Sequence, residues 1–222
     1  YCITTKSFEM DAYREKGARE VLFCTQGYDI RIHRPYSSFE KKDGVVFVGH
    51  CEPARESILA RLLESDIRVT LAGPNWERFA SRYRNKGCLS YLGKGVYGED
   101  YGKLLSGGLM GLGLLSRWFP ERHTTRTLEI PACGTALATE RNEDTAAIFR
   151  EGEVIFYADE EELIEKIKEA YTDREFLQTV TERGKARVTN GAFDYISILR
   201  RLLRDMHITK EKNVYHGCFI QE

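Results

Sequence analysis

The chain has no apolar run long enough to cross a membrane. Its longest, Gly107 to Leu115, falls far short of the roughly 20 residues a spanning helix needs and is diluted by glycine. Nor is there an excess of positive charge. Lys and Arg total 33 against 34 for Asp and Glu, so no global field collects nucleic acid or an anionic membrane surface, and any anion site must be local. The six cysteines, Cys2, Cys24, Cys51, Cys88, Cys133 and Cys218, form no C-x-x-C pair and have no histidines at zinc spacing. That pattern argues against a metal site and for reduced thiols in the cytoplasm. A G-x-G-x-x-G fingerprint directly after the first strand of the main α/β region is missing as well, which disfavours an NAD-type enzyme. The sequence opens at Tyr1 with neither an initiator Met nor a charged-then-apolar leader, so the chain reads as an excised piece without a secretory signal.

What is present is 222 residues, 42% of them apolar, enough to build a sizeable core. From Gly44 onward, short apolar or β-branched runs alternate with amphipathic stretches. This is the pattern of repeated βα units on a doubly wound, mostly parallel sheet. Val45 to Gly49 reads as a buried strand, and Pro53 opens a helix carrying Ile58, Leu59, Leu62 and Leu63 at helical spacing. Strands follow at Arg68 to Gly73, Cys88 to Gly93, Leu109 to Leu115, Thr135 to Thr139 and Val154 to Ala158. A helix through Leu128 and Ala132 stops at Gly134, and another starts at Asp159 with Glu160, Glu161 and Glu162 complementing its dipole. The first 35 residues form a strand, a helix and a strand of their own, too small to bury both faces unaided. The predicted organisation is a remnant of a preceding domain over 1–35, a linker over 36–44, a Rossmann-like domain over 45–205 and a tail over 206–222.

In an open parallel sheet, ligands bind beyond the carboxyl ends of the strands where strand order reverses, here between the first and fourth strands counted from Gly44. Two loops meet there: Gly49-His50-Cys51-Glu52-Pro53, and the polar stretch Arg117 to Thr125. The amides of Thr124, Thr125 and Arg126 at a helix N-terminus, with the Arg126 side chain and His123 nearby, make a natural diphosphate site. Glu129, one turn on, lies on the same helical face, where a carboxylate can accept hydrogen bonds from ribose hydroxyls. Gly93, Lys94 and Gly95, after the third strand, could offer backbone groups to a nucleobase. Each has a plainer alternative: Arg126 and Glu129 as an exposed ion pair, Thr124 or Thr125 as a simple helix cap, His50 and His123 as solvated histidines.

At Arg126-Thr-Leu-Glu129-Ile-Pro-Ala-Cys133-Gly134, and again at Glu151-Gly-Glu-Val154 and Glu161-Glu-Leu-Ile164, the sequence resembles the CgeB-like glycosyltransferases. These are a GT-B group related to the group 1 glycosyltransferases. The likeness runs from about Val45 to Leu203, and Thr4 to Ser7 with Gln26 to Asp29 resemble the end of that group's N-terminal domain. The resemblance implies two Rossmann-like domains with a cleft between them, the C-terminal one holding a nucleoside-diphosphate sugar, UDP-linked among the candidates, with no cofactor or obligatory metal. It implies that Glu129 binds the ribose and that Glu121 contacts the donor sugar, although Arg122 to Arg126 replaces the glycine-containing turn usual there. His50 is a candidate catalytic group facing the cleft. The acceptor, a glycan, lipid or protein, would be bound largely by the missing N-terminal domain, so this piece alone should transfer poorly. The competing expectation is a non-catalytic sugar-nucleotide-binding or structural module of envelope or spore-surface assembly.

Overall fold

A computed structural model describes residues 1–36 and 42–208. In chain order the elements are β1 (Cys2–Thr4), α1 (Met10–Glu15), β2 (Val21–Phe23), β3 (Lys42–Val48), α2 (Pro53–Glu64), β4 (Val69–Ala72), α3 (Glu77–Arg82), β5 (Leu89–Tyr91) and α4 (Gly98–Gly107). They continue with β6 (Gly108–Leu112), α5 (Thr125–Ala132), β7 (Ala136–Glu140), α6 (Glu143–Ile148), β8 (Ile155–Tyr157), α7 (Glu160–Thr172), α8 (Arg174–Asn190) and α9 (Tyr195–Asp205). Six strands form one parallel sheet in the order β5-β4-β3-β6-β7-β8, and β1 pairs in parallel with β2 in a separate two-stranded sheet. The chain reverses its direction of travel across the sheet between β3 and β6, where the predicted first and fourth strands lie side by side.

The alternation along β3 shows why both faces are covered. Val45 and Phe47 point into a core shared with Leu59, Leu62 and Leu63 of α2, Trp76, Phe79 of α3, and Leu163 and Ile167 of α7. Val46 points the other way, into a core with Leu105 of α4, Leu128 and Ile130 of α5, Leu137, Phe156, and Val188 of α8. Each fully buried Leu or Phe of this kind stabilises the fold by about 1.5–3 kcal/mol.

The small N-terminal sheet leans on the end of the chain. Leu22 and Cys24 pack against Ile198, Leu202 and Met206, so α9 covers it, and Tyr195 N–H donates to Tyr28 O at 3.1 Å. Ser7 Oγ donates to Asp144 Oδ1 at 2.7 Å, tying the same segment to α6.

Sequence pattern and structure differ in places with physical causes. Helix α6 was not anticipated: at six residues it is too short to show an apolar period, and it forms because the Asn142 side chain accepts from the Asp144 and Thr145 amides. Strand β6 ends at Leu112 rather than Leu115: Gly113 N–H still donates to Ala138 O of β7, and Leu114 and Leu115 stay buried beyond the end of the ladder. Residues 37–41 of the expected linker, residues 209–222 of the expected tail, and Cys218 among them, lie outside the described residues. Cys2, Cys24, Cys51, Cys88 and Cys133 are free thiols. Among the described residues, no helix is long and apolar enough to cross a membrane.

Candidate functional site

The loops after β3 and β6 meet at the switch point, and beside α2 and α5 they bring together two arginines and two glutamates. Phe47, wholly buried at the end of β3, has two guanidinium groups near its ring. Arg55 of α2 has its Cζ 5.8 Å from the ring centroid, and Arg126 of α5 has its Cζ 5.6 Å away. Both arginines also reach Leu114 O, at 3.3 Å each. Two like charges converging on one carbonyl and one ring, largely out of water, repel one another unless an anion joins them.

The two are not equally provided for. Arg55 is 1% exposed and pairs with the buried Glu52 carboxylate at 2.8 Å, with Glu121 3.7 Å away. Burial and the neighbouring Arg126 push the Arg55 guanidinium down from its usual range, and Glu52 and Glu121 oppose that. Arg126 makes no ion pair with a carboxylate among the described residues, while the Nε of both arginines is buried there without a hydrogen-bond partner. A Cβ on Gly49 would come within 2.8 Å of the Phe47 ring, so glycine at that position lets the loop pass over the ring, with Arg126 Nη1 in ordinary contact at 3.5 Å.

Glu52 anchors the second loop. Burial alone would raise its carboxyl, yet the Arg117 N–H at 2.9 Å, Ser116, Arg55 and His50 together hold it below the usual range. Glu121 Oε2 accepts the Ser116 amide at 2.8 Å. Ser116 Oγ accepts from the amides of Trp118 and Phe119. The turn carrying Trp118 and Phe119, each 59% exposed, is therefore pinned from inside.

The residues singled out from the sequence fall into separate surroundings. Gly49, Arg126 and Glu121 lie in the cationic cluster. Thr125 and Arg126 open α5, but the Thr124 amide is not free as expected: it donates to Thr127 Oγ1 at 3.0 Å, closing the helix cap. Thr124 Oγ1 is buried without a hydrogen-bond partner among the described residues. His50 has Nε2 2.7 Å from Glu52 Oε1, both ring nitrogens 3.3 Å from Arg55 Nη1, and its ring tilted over Trp118 at 5.7 Å. The edge of the ring thus faces the cluster. His123 turns away from it: Nδ1 is 3.1 Å from Asp144 Oδ2 and Nε2 accepts the Gln26 amide at 3.3 Å, in a site 3% exposed. Gly93, Lys94 and Gly95 lie beyond β5, two strands from β3, with Gly93 O accepting the Gly73 amide at 2.9 Å.

Glu129 is 8% exposed. Its Oε2 accepts the Tyr101 hydroxyl at 2.7 Å, and Oε1 is 3.7 Å from His33 Nε2. Burial, reinforced by Glu129, pushes the Tyr101 hydroxyl well above its usual range, and burial holds His33 below its own despite Glu129 and Asp29. Arg55, Tyr101 and His33 went unnoticed in the sequence. Arg55 carried one signal, its place a few residues past Gly49 on the helix that follows the first loop, where it adds cationic charge to the switch point. A cavity of about 650 Å³ lies away from these loops, under α4 against the starts and faces of β3, β4 and β5, and none of its lining comes from either loop.

The fold is thus an α/β Rossmann-like domain of the GT-B kind. It is similar in structure to the sucrose-phosphate synthase from Thermosynechococcus elongatus, with 16% identity, a TM-score of 0.70, and coverage of 93% of this chain and 58% of that one. Anabaena HepE in complex with UDP-glucose matches with 14% identity and a TM-score of 0.73 over 93% of this chain and 63% of that one. A glycosyltransferase from Rickettsia africae matches with 13% identity and a TM-score of 0.73 over 95% of this chain and 64% of that one. The chain spans less than two thirds of the length of each. No curated protein sequence matches it. The Glycosyl transferase-like family model matches residues 53–204, and the chain belongs to that family.

Proposed function

We propose that the chain is the donor-binding portion of a CgeB-like glycosyltransferase that transfers a sugar from a nucleoside-diphosphate sugar to a glycan, lipid or protein acceptor. The observation that carries this reading is the half-buried Arg126, without a counter-ion among the described residues, set beside Arg55 at the switch point of the sheet. A diphosphate supplies the counter-charge that Arg126 lacks. The Thr125 and Arg126 amides at the start of α5 add donors aimed the same way.

In this reading the chemistry is electrostatic. As the bond from the anomeric carbon to the diphosphate breaks, negative charge grows on the leaving oxygen, and Arg126, with Arg55 behind it, stabilises that charge more than the ground state. Glu121, fixed by the Ser116 amide, faces the sugar, and Glu129 receives the ribose. His50, its ring edge set against Glu52 and Arg55, serves to hold the loop. No cofactor or metal is required, and the protein works in the cytoplasm with its thiols reduced. The acceptor pocket belongs to a further N-terminal domain, so the chain alone binds donor and transfers poorly. HepE, a structural relative solved with UDP-glucose, makes UDP the first nucleotide to try.

Calorimetric titration of the 222-residue chain with UDP, GDP and ADP tests this. One nucleotide should bind at micromolar to millimolar strength; no binding of any of them at millimolar concentration would sink the donor-site reading.

A further inference from the structure

The Glu129 carboxylate is gripped from outside its own helix. Tyr101 of α4 donates its hydroxyl to Oε2 at 2.7 Å. On the other side, His33, which follows β2 in the chain, stands edge-on to the Tyr101 ring with centroids 5.6 Å apart and planes at 87°. His33 Nδ1 accepts the Asp29 amide at 3.0 Å. The neutral ring therefore carries its proton on Nε2, which points at Glu129 Oε1 from 3.7 Å. That distance is too long for a hydrogen bond. The two carboxylate oxygens are thus unequal: Oε2 is committed, while Oε1 accepts no hydrogen bond from any described residue.

We propose that Tyr101 and His33 are positioning residues that fix Glu129 so that Oε1 is offered to a ribose hydroxyl, which makes the site select ribonucleotides over their deoxy counterparts. The inference rests on the nucleotide-sugar reading above and adds to it the groups that set selectivity at the ribose. A carboxylate free to rotate loses rotamer entropy on every binding event; one already clamped through Oε2 does not, and its remaining oxygen meets the hydroxyl at full strength. A missing hydroxyl then leaves a largely buried anion unpaired, which is how polar sites reject analogues. A purely structural role, in which the Tyr101 bond only fastens α4 to α5, predicts lower stability and no change in selectivity.

The two are separated by titrating the chain and its Tyr101→Phe variant with UDP, 2′-deoxy-UDP and 3′-deoxy-UDP, with thermal melting recorded alongside. The wild-type chain should bind at least one deoxy analogue about tenfold more weakly than UDP. In Tyr101→Phe that penalty should shrink to about threefold or less, while the affinity for the deoxy analogue itself stays near that of the wild type. Equal weakening of all three ligands, with the tenfold ratio kept, would overturn the inference. So would a wild-type chain that binds UDP and both analogues alike. Should Tyr101→Phe fail to fold, His33→Gln keeps the Tyr101 bond and should reduce the penalty part of the way; an unchanged penalty there counts against the proposal. Failure of the wild-type chain to bind UDP, GDP or ADP is a different result, which removes the donor-site reading itself and this inference with it.

Discussion

Arg126 and His123 are three residues apart, one in the first turn of α5 and the other in the loop before it, and their surroundings could hardly differ more. Around His123 the polar groups are matched: Asp144 faces Nδ1, the Gln26 amide fills Nε2, and Ser7 completes Asp144. Around Arg126 they are not, for Nε has no partner, no carboxylate pairs with it among the described residues, and a second arginine stands close enough to repel it. From sequence alone both residues pointed to phosphate. The structure separates them by what is left over. A satisfied network fastens parts together, whereas an unsatisfied one is prepared for something that has yet to arrive.

The sharpest way to break this comparison is to exchange which function each residue loses. Arg126→Ala should weaken UDP binding about 100-fold, near 3 kcal/mol, in calorimetric titration, since a desolvated charge contact disappears. Its melting temperature should hold or rise, because one of two repelling cations has gone. His123→Ala should do the reverse. It orphans Asp144 and the Gln26 amide and should cost about 2 kcal/mol in urea unfolding, with UDP affinity of the folded protein within about twofold of wild type. A large affinity loss in His123→Ala with stability intact would erase the distinction.

Beside Glu129, one turn further down α5, His33 gives a smaller effect. Burial lowers its pKa below the usual value of 6.5. The folded state therefore binds the proton less readily than the unfolded one, and stability is full above pH 6.5 and declines as the pH falls from there toward the lowered folded value. A loss of stability on this limb is expected, to be read as the difference between wild type and His33→Gln in unfolding curves between pH 7 and 5.

Much of the frame was legible beforehand. Alternating β-branched runs and amphipathic stretches gave the parallel sheet, and the position of the switch point followed from strand order alone. The N-terminal end of α5 was readable too, because Thr124 precedes a helical pattern that stops at Gly134. The partners were not. Arg55 sits amid the apolar positions of α2, where an arginine reads as a solvent-facing break in the stripe. Only the fold shows it 1% exposed against Glu52. Tyr101 looks like a core aromatic at helical spacing, and His33 like a turn residue, since nothing local announces that α4 and the segment after β2 converge on Glu129. His123 was misjudged for the same reason: Ser7 and Gln26, which satisfy its surroundings, come from far earlier in the chain.

The packing of α9 over the first two strands has a consequence for how the molecule is made. A two-stranded parallel sheet has little to hold it, and Leu22 and Cys24 find their apolar cover in a helix that leaves the ribosome only after all six strands of the main sheet. The first two strands thus wait for α9, across a long loop whose closure entropy must be met before they are covered. Until then their edges and thiols stay open to other chains, and the step that shields them is also the one that sets Tyr28 and Asp194 side by side.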